Sequence, residues 1–192
     1  MITMSNPHHL FRQALDEFGD RVVAVPAGAW DRPTPCPEWT VRDLVHHVVE
    51  EELWAAAALA GETAAEIGDR FAGDLLGDDP VEAWQRAAAG VRPMLSDDAV
   101  LNVTVELPGG KVTATDFLYE MFADHLIHSW DLARAAGGAE ALDSALVAAC
   151  AEWFDTVEDS WRAEGAIGPP APTPPGAGPT AALVARFGRD PR

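Results

Sequence analysis

Cysteine is scarce in this chain of 192 residues, which carries Cys36 and Cys150 and no others. The two lie far apart and form no CxxC pattern, which excludes a disulfide framework and a cysteine-rich zinc site. Cys36 sits between prolines just before a helix, where a nucleophile and a small buried packing residue are both conceivable. Positive charge is scarce too. Thirteen Lys and Arg stand against 31 Asp and Glu, for a formal net charge of −18. Such a surface repels nucleic acid and anionic membrane, so neither is expected as a partner. Lys111 is the only lysine, beside abundant Arg and Ala, a bias found in high-GC genomes. No apolar run approaches the roughly 18 residues that a membrane span needs. The first residues, Met1 to Asn6, have neither the basic start nor the apolar stretch of a secretory signal, and the protein is read as cytoplasmic.

What is present is an ordinary globular composition with 48% hydrophobic residues, at a length that fits one domain over 1–192. Asn6-Pro7 is a helix start, and Leu10, Ala14, Phe18 and Val22 follow at helical spacing, predicting a helix over about 7–26. Thr40 with Asp43 resembles a capping box and opens a second helix to about Ala60. Four glycines break the pattern between 61 and 80, and Pro80 opens a third helix over about 81–95. Val100 to Leu107 is β-branched and roughly alternating, Pro108-Gly109-Gly110 turns, and Lys111 to Ala114 returns, which predicts a β-hairpin. A fourth helix is predicted over about 116–136, stopped by Gly137-Gly138, and a fifth over about 141–163. A Pro/Ala/Gly-rich loop at 165–179 precedes a short last helix at about 180–187. The expected architecture is all-α: a helix bundle with a small β-hairpin insertion and a short C-terminal helix.

The chemistry concentrates in Met121 to Asp131. Asp124 and His128 stand at i, i+4 on one edge of the fourth helix's apolar arc, so their side chains point the same way and can share one divalent metal. Asp131 continues that edge, and His125 lies nearer the middle of the arc. A buried Asp–His hydrogen bond, or a solvated Asp at the bundle margin, accounts for the same pattern without a metal. On the second helix His46 and His47 both fall off the centre of the apolar arc, and periodicity does not choose between them. His47 leads a stripe with Glu51, Trp54 and Ala58. Two helices presenting His and Asp to a common point is how metal sites are built inside bundles. Of the seven tryptophans, Trp54, Trp84, Trp153 and Trp161 fall on predicted helices, where core packing is the default. Trp30, in the connection, can cover a bundle end.

Pro33-Thr-Pro-Cys-Pro-Glu-Trp-Thr-Val-Arg-Asp-Leu-Val-His-His47 resembles the start of the second helix in the mycothiol-dependent maleylpyruvate isomerase and DinB-like superfamily. In that pattern the ligand His follows the Trp of a Trp-Thr pair by eight residues. The resemblance therefore implies His47 rather than His46. Asp124-His-Leu-Ile-His-Ser-Trp-Asp-Leu-Ala133 is similar to the second motif and implies ligands at Asp124 and His128. Phe187-Gly-Arg-Asp-Pro191 resembles the ending of a short, actinobacterial branch. The resemblance implies an up-down-down-up four-helix bundle and a divalent metal, zinc or nickel, on three protein ligands, with mycothiol as a candidate co-substrate. The isomerase carries Glu where this chain has Asp124. It also has a further C-terminal domain for which 192 residues leave no room, so maleylpyruvate isomerisation itself is not carried over.

Three functions are compatible with these residues. The first is a metal- and thiol-dependent isomerase or S-transferase acting on a small electrophile, with Asp131 or Glu51 orienting a ligand imidazole. The second is a hydrolase in which the metal activates water and Glu51 serves as base. The third is a non-catalytic, metal-stabilised binding module, which a further protein ligand such as His125 would favour. His125 also stands at i, i+3 from His128 and can replace Asp124 in the ligand set. No catalytic or cofactor-contacting residue beyond the metal ligands is singled out. Apolar faces left over by four helices often pair, which admits a homodimer.

Overall fold

A computed structural model describes residues 6–192. Helix α1 spans Pro7–Val23, with Pro7 at its first position and the Asn6 side chain accepting from the His8 amide. It ends three residues earlier than predicted, because Pro26 biases Val25 out of helical geometry. Helix α2, Val41–Leu59, starts at the predicted capping box. The Asp43 amide donates to Thr40 Oγ1, and the Thr40 amide donates to Asp43 Oδ2 at 2.9 Å. A one-turn helix α3, Ala64–Ile67, lies in the stretch read as irregular.

Helix α4, Pro80–Val91, is capped by Asp79 and stops before the predicted residue 95. Pro93 has no amide to donate, and the chain tightens into a 3₁₀ turn over Arg92–Ser96. A second 3₁₀ turn, Asp98–Asn102, takes Val100 to Asn102 out of the predicted strand. There the Asp97 side chain accepts from the Ala99 amide and offers the backbone a local alternative to the ladder. The hairpin is thus shorter than predicted. Strand β1 (Thr104–Leu107) pairs antiparallel with β2 (Gly110–Thr113) across a two-residue loop.

The hairpin runs straight into helix α5, Ala114–Ala136. The N-cap is Thr113, whose Oγ1 accepts from the Asp116 amide, so the helix begins two residues before the predicted 116. Gly137, at φ 82°, ends the helix in the left-handed conformation that glycine adopts without strain. Helix α6 is Ser144–Ala163, capped by Asp143, and α7 is Pro179–Arg186.

The bundle pairs α1 with α5 and α2 with α4, and α2 also meets α5. Phe11, Leu15 and Phe18 of α1, Val45 and Val48 of α2, Trp84 of α4, and Phe122, Leu126 and Trp130 of α5 are buried between them. Helices α6 and α7 pack outside α5, where Phe154 stacks on Phe187 with ring centroids 4.0 Å apart. The all-α architecture with a hairpin insertion is the one the sequence predicts. Among the described residues no helix is long and apolar enough to cross a membrane.

Candidate metal centre

The contact of α2 with α5 brings the two sequence motifs together. His47 comes from α2, and Asp124 and His128 come from successive turns of α5. One donor atom from each lies within 4.8 Å of the other two. His128 Nε2 is 3.3 Å from Asp124 Oδ1, and His47 Nε2 is 3.9 Å from Asp124 Oδ2. The two imidazoles meet edge to face with centroids 5.3 Å apart. His46, its neighbour in sequence, turns away and bonds the Gly73 carbonyl at 2.7 Å.

The donor set fits a divalent ion: two imidazole nitrogens and a carboxylate oxygen suit zinc or nickel. The buried Asp124 Oδ2 and Glu51 Oε2 have no hydrogen-bond partner, and carboxylate oxygens so placed need a cation or a proton. Burial and the adjacent Asp124 raise the Glu51 carboxyl well above the usual range. Burial works the same way on Asp124, but His128, Glu51 and His47 outweigh it and hold Asp124 ionised. Of the two carboxyls, Glu51 is therefore the one that takes up a proton more readily.

His128 is oriented from behind. Its Nδ1 lies 3.0 Å from Oδ2 of the fully buried Asp131, which leaves Nε2 facing Asp124. A carboxylate on the far nitrogen sets the tautomer and raises the basicity of a ligating imidazole. Asp131 is itself held by Arg189, with Nη2 to Oδ2 at 2.9 Å and Nε to Oδ1 at 3.2 Å, and Cys36 Sγ donates to Asp131 Oδ2 at 3.3 Å. Burial tends to raise the Asp131 carboxyl, but the His128 and Arg189 contacts bring it below the ordinary value. The C-terminal Phe187–Pro191 motif thus acts on the site through Arg189. Sequence reasoning gave Arg189 no role. The available signal was an arginine within the C-terminal motif and an aspartate on the edge of the fourth helix's apolar arc.

Cys36 is a buried packing residue within this network. Cys150 lies far from it in the core, where burial pushes the thiol up to about 12. The connection that carries Cys36 is tightly folded. The Trp39 amide donates to the Cys36 carbonyl across a turn whose third residue, Glu38, takes φ 67°. That geometry sets the Trp39 ring 4.9 Å from the His47 ring.

His125 does not join the cluster through a free nitrogen. Its Nδ1 donates to the Met121 carbonyl at 2.8 Å, and its Nε2 is 2.6 Å from Glu52 Oε1, both side chains being fully buried. Glu51, Asp124 and His125 also have atoms within 4.8 Å of one another, but the imidazole of that group is already engaged on both sides.

The imidazoles predict a pH response of the metal-free protein. Burial, against the pull of Asp124, lowers His47 to about 4 from its ordinary 6.5. The unfolded chain therefore takes up this proton first as pH falls. The His47 share of stability is whole above 6.5 and is lost between 6.5 and 4. His128 works in the opposite sense. Asp124 and Asp131 overcome burial and raise it, so its share is present below 6.5 and lost as pH rises through the raised value. Urea midpoints of chelator-treated protein should fall over the His47 window, and fall less in His47→Gln. An equal fall in that variant would contradict this assignment.

Beside the cluster opens a cavity of about 510 Å³ lined by His47, Glu51, Trp54, Phe117, Met121 and Asp124, among others. The same α2–α5 contact therefore forms both the donor cluster and the wall of a pocket.

The family model described as the mycothiol maleylpyruvate isomerase N-terminal domain matches residues 11–133, which include both motifs of the cluster. Two curated relatives, uncharacterized proteins from two strains of Mycobacterium tuberculosis, are each 34% identical over 145 residues, covering 73% of this chain and 73% of the relative. No solved structure matches.

Proposed function

The chain belongs to the mycothiol maleylpyruvate isomerase N-terminal domain family, a metal-binding, mycothiol-associated family with a DinB-like fold, and on that premise we propose that it is a metal- and thiol-dependent isomerase or S-transferase. Its substrate in this reading is a small electrophile, and the metal, zinc or nickel, is held by His47, Asp124 and His128. The observation that carries the reading is the convergence of His47, Asp124 and His128 beside an open cavity, with the Glu51 carboxylate next to them. Three protein ligands leave coordination positions free, as sites that do chemistry do and purely structural sites do not. His125 would have closed the site as a further ligand, and its two nitrogens are engaged by Met121 and Glu52.

A bound divalent ion supplies Lewis acidity, which lowers the pKa of an incoming thiol and so raises the fraction of reactive thiolate. The protein's own groups do the rest. Asp131 and Arg189 hold the His128 ring in one orientation. Glu51, 3.4 Å from His47 Nε2, can hold the proton that the thiol gives up. Trp39, against both imidazoles, and Trp54, in the cavity wall, give the site an apolar border.

The test is turnover of electrophiles by the zinc- or nickel-loaded protein with and without mycothiol. Consumption of the thiol that stops on chelation and in His47→Ala is the expected result. Turnover that persists without thiol would replace this reading with a hydrolase. Stoichiometric metal with no turnover of any electrophile would replace it with a binding module.

A further inference from the structure

The cavity beside the donor cluster has a charge that the family's name does not lead one to expect. Its lining includes four carboxylates, Glu50, Glu51, Glu120 and Asp124. Among the described residues no Lys or Arg lines it, and neither Glu50 nor Glu120 pairs with one elsewhere. Lys111, on the nearby hairpin, is turned to Glu106 at 3.5 Å. The apolar walls are Phe117 and Met121 of α5, Trp54 of α2, Trp161 of α6 and Leu107 of the hairpin.

A divalent ion on the donor cluster does not reverse this charge. Against the two positive charges of such an ion stand the carboxylates of Asp124, Glu50 and Glu120, which leave the cavity net negative whatever the charge of Glu51. Glu120 is half-buried, with burial and then Asp116 and Glu164 pushing its carboxyl up, so a cation beside it relieves a real electrostatic cost. Low-dielectric walls concentrate that field within the cavity. Carboxylates over aromatic faces are the surroundings that recognise ammonium groups, through charge-assisted hydrogen bonds and cation–π contact.

From the unpaired Glu50 and Glu120, the aromatic walls and the lack of any cation in the lining, we propose that this pocket takes a substrate with a cationic amine on an apolar body, and that it disfavours dicarboxylates such as maleylpyruvate. The inference rests on the proposed site at His47, Asp124 and His128 for the place where the substrate reacts, and on the cavity alone for its charge. The metal end receives the electrophilic carbon, and the Glu50–Glu120 end receives the ammonium group. A cavity of about 510 Å³ accommodates one aromatic ring with a short chain.

The test is isothermal titration calorimetry of the zinc-loaded protein with three probes of one carbon skeleton: 3-phenylpropylammonium, 3-phenylpropanol and 3-phenylpropionate. The ammonium should bind best and the carboxylate worst. Raising the salt concentration should weaken the ammonium alone. Glu120→Gln and Glu50→Gln should each weaken the ammonium by about threefold to tenfold and leave the alcohol unchanged. Thermal unfolding of both variants checks that they fold. Equal binding of the three probes, no saturable binding of the ammonium, or no change in the glutamine variants would each overturn the proposal. Metal content is measured on the same samples. Protein without metal that still prefers the ammonium would sink the catalytic reading and leave this one standing, and metal-loaded protein without the preference would do the reverse.

Discussion

Substitution of His128 by alanine is expected to abolish stoichiometric metal binding. Wild-type protein, untagged and purified after incubation with zinc or nickel, should hold about one ion per chain. His128→Ala removes one of the three proposed donors, and the Asp124 carboxylate and His47 imidazole that remain belong to different helices. Elemental analysis by plasma mass spectrometry measures the loss directly. A graded effect should accompany it. Asp131→Asn keeps the shape of the side chain that faces His128 Nδ1 at 3.0 Å but removes its charge. Metal affinity should then fall by about 10–100-fold without vanishing, the usual size of an effect transmitted through a ligand's hydrogen-bond partner. Full metal content in His128→Ala would show that the ion, if bound, sits elsewhere, and an unchanged affinity in Asp131→Asn would remove Asp131 from the site.

The largest expected effect on stability lies one residue from the donor cluster and does not involve it. Glu52 and His125 face each other at 2.6 Å in the bundle core, both fully buried, among Phe11, Phe18 and Trp84. Burial raises the Glu52 carboxyl, and His125 opposes the rise. Truncating one member strands the other in an apolar surround. Glu52→Ala should therefore cost about 3–5 kcal/mol in urea unfolding, the range for breaking a buried pair. Replacing both, as Glu52→Met with His125→Leu, removes the polar groups together and should recover most of that loss. Additive losses in the double variant would mean that packing volume, not the unpaired polar group, carries the effect.

Much of the secondary structure follows from local chemistry. The capping box of Thr40 and Asp43, the Pro-led starts at Pro7 and Pro80, and the glycine stop at Gly137 act within a turn of the chain. The boundaries that moved were decided by backbone hydrogen bonding. Pro93 turned the end of α4 into a 3₁₀ segment, and Asp97 drew Val100 out of β1. Thr113 caps α5 because the hairpin leads into the helix without a linker, a continuity that spacing alone does not show.

The donor cluster divides the same way. The i, i+4 spacing of Asp124 and His128 is a property of one helix, and it is legible because a helix repeats every 3.6 residues. Whether His46 or His47 joins them depends on how α2 is rotated against α5, and so does the engagement of His125 with Glu52. Arg189 reaches Asp131 across 58 residues, and Cys36 reaches it across 95. The sequence by itself determined the helices, their apolar faces and the two ligand-bearing motifs, because these depend on neighbours a few residues apart. Periodicity left His46 and His47 equivalent until a family resemblance pointed to His47, and only the tertiary structure decided what orients His128 and that the adjoining cavity carries carboxylates without a cation. Those relations are set by packing between elements distant in the chain.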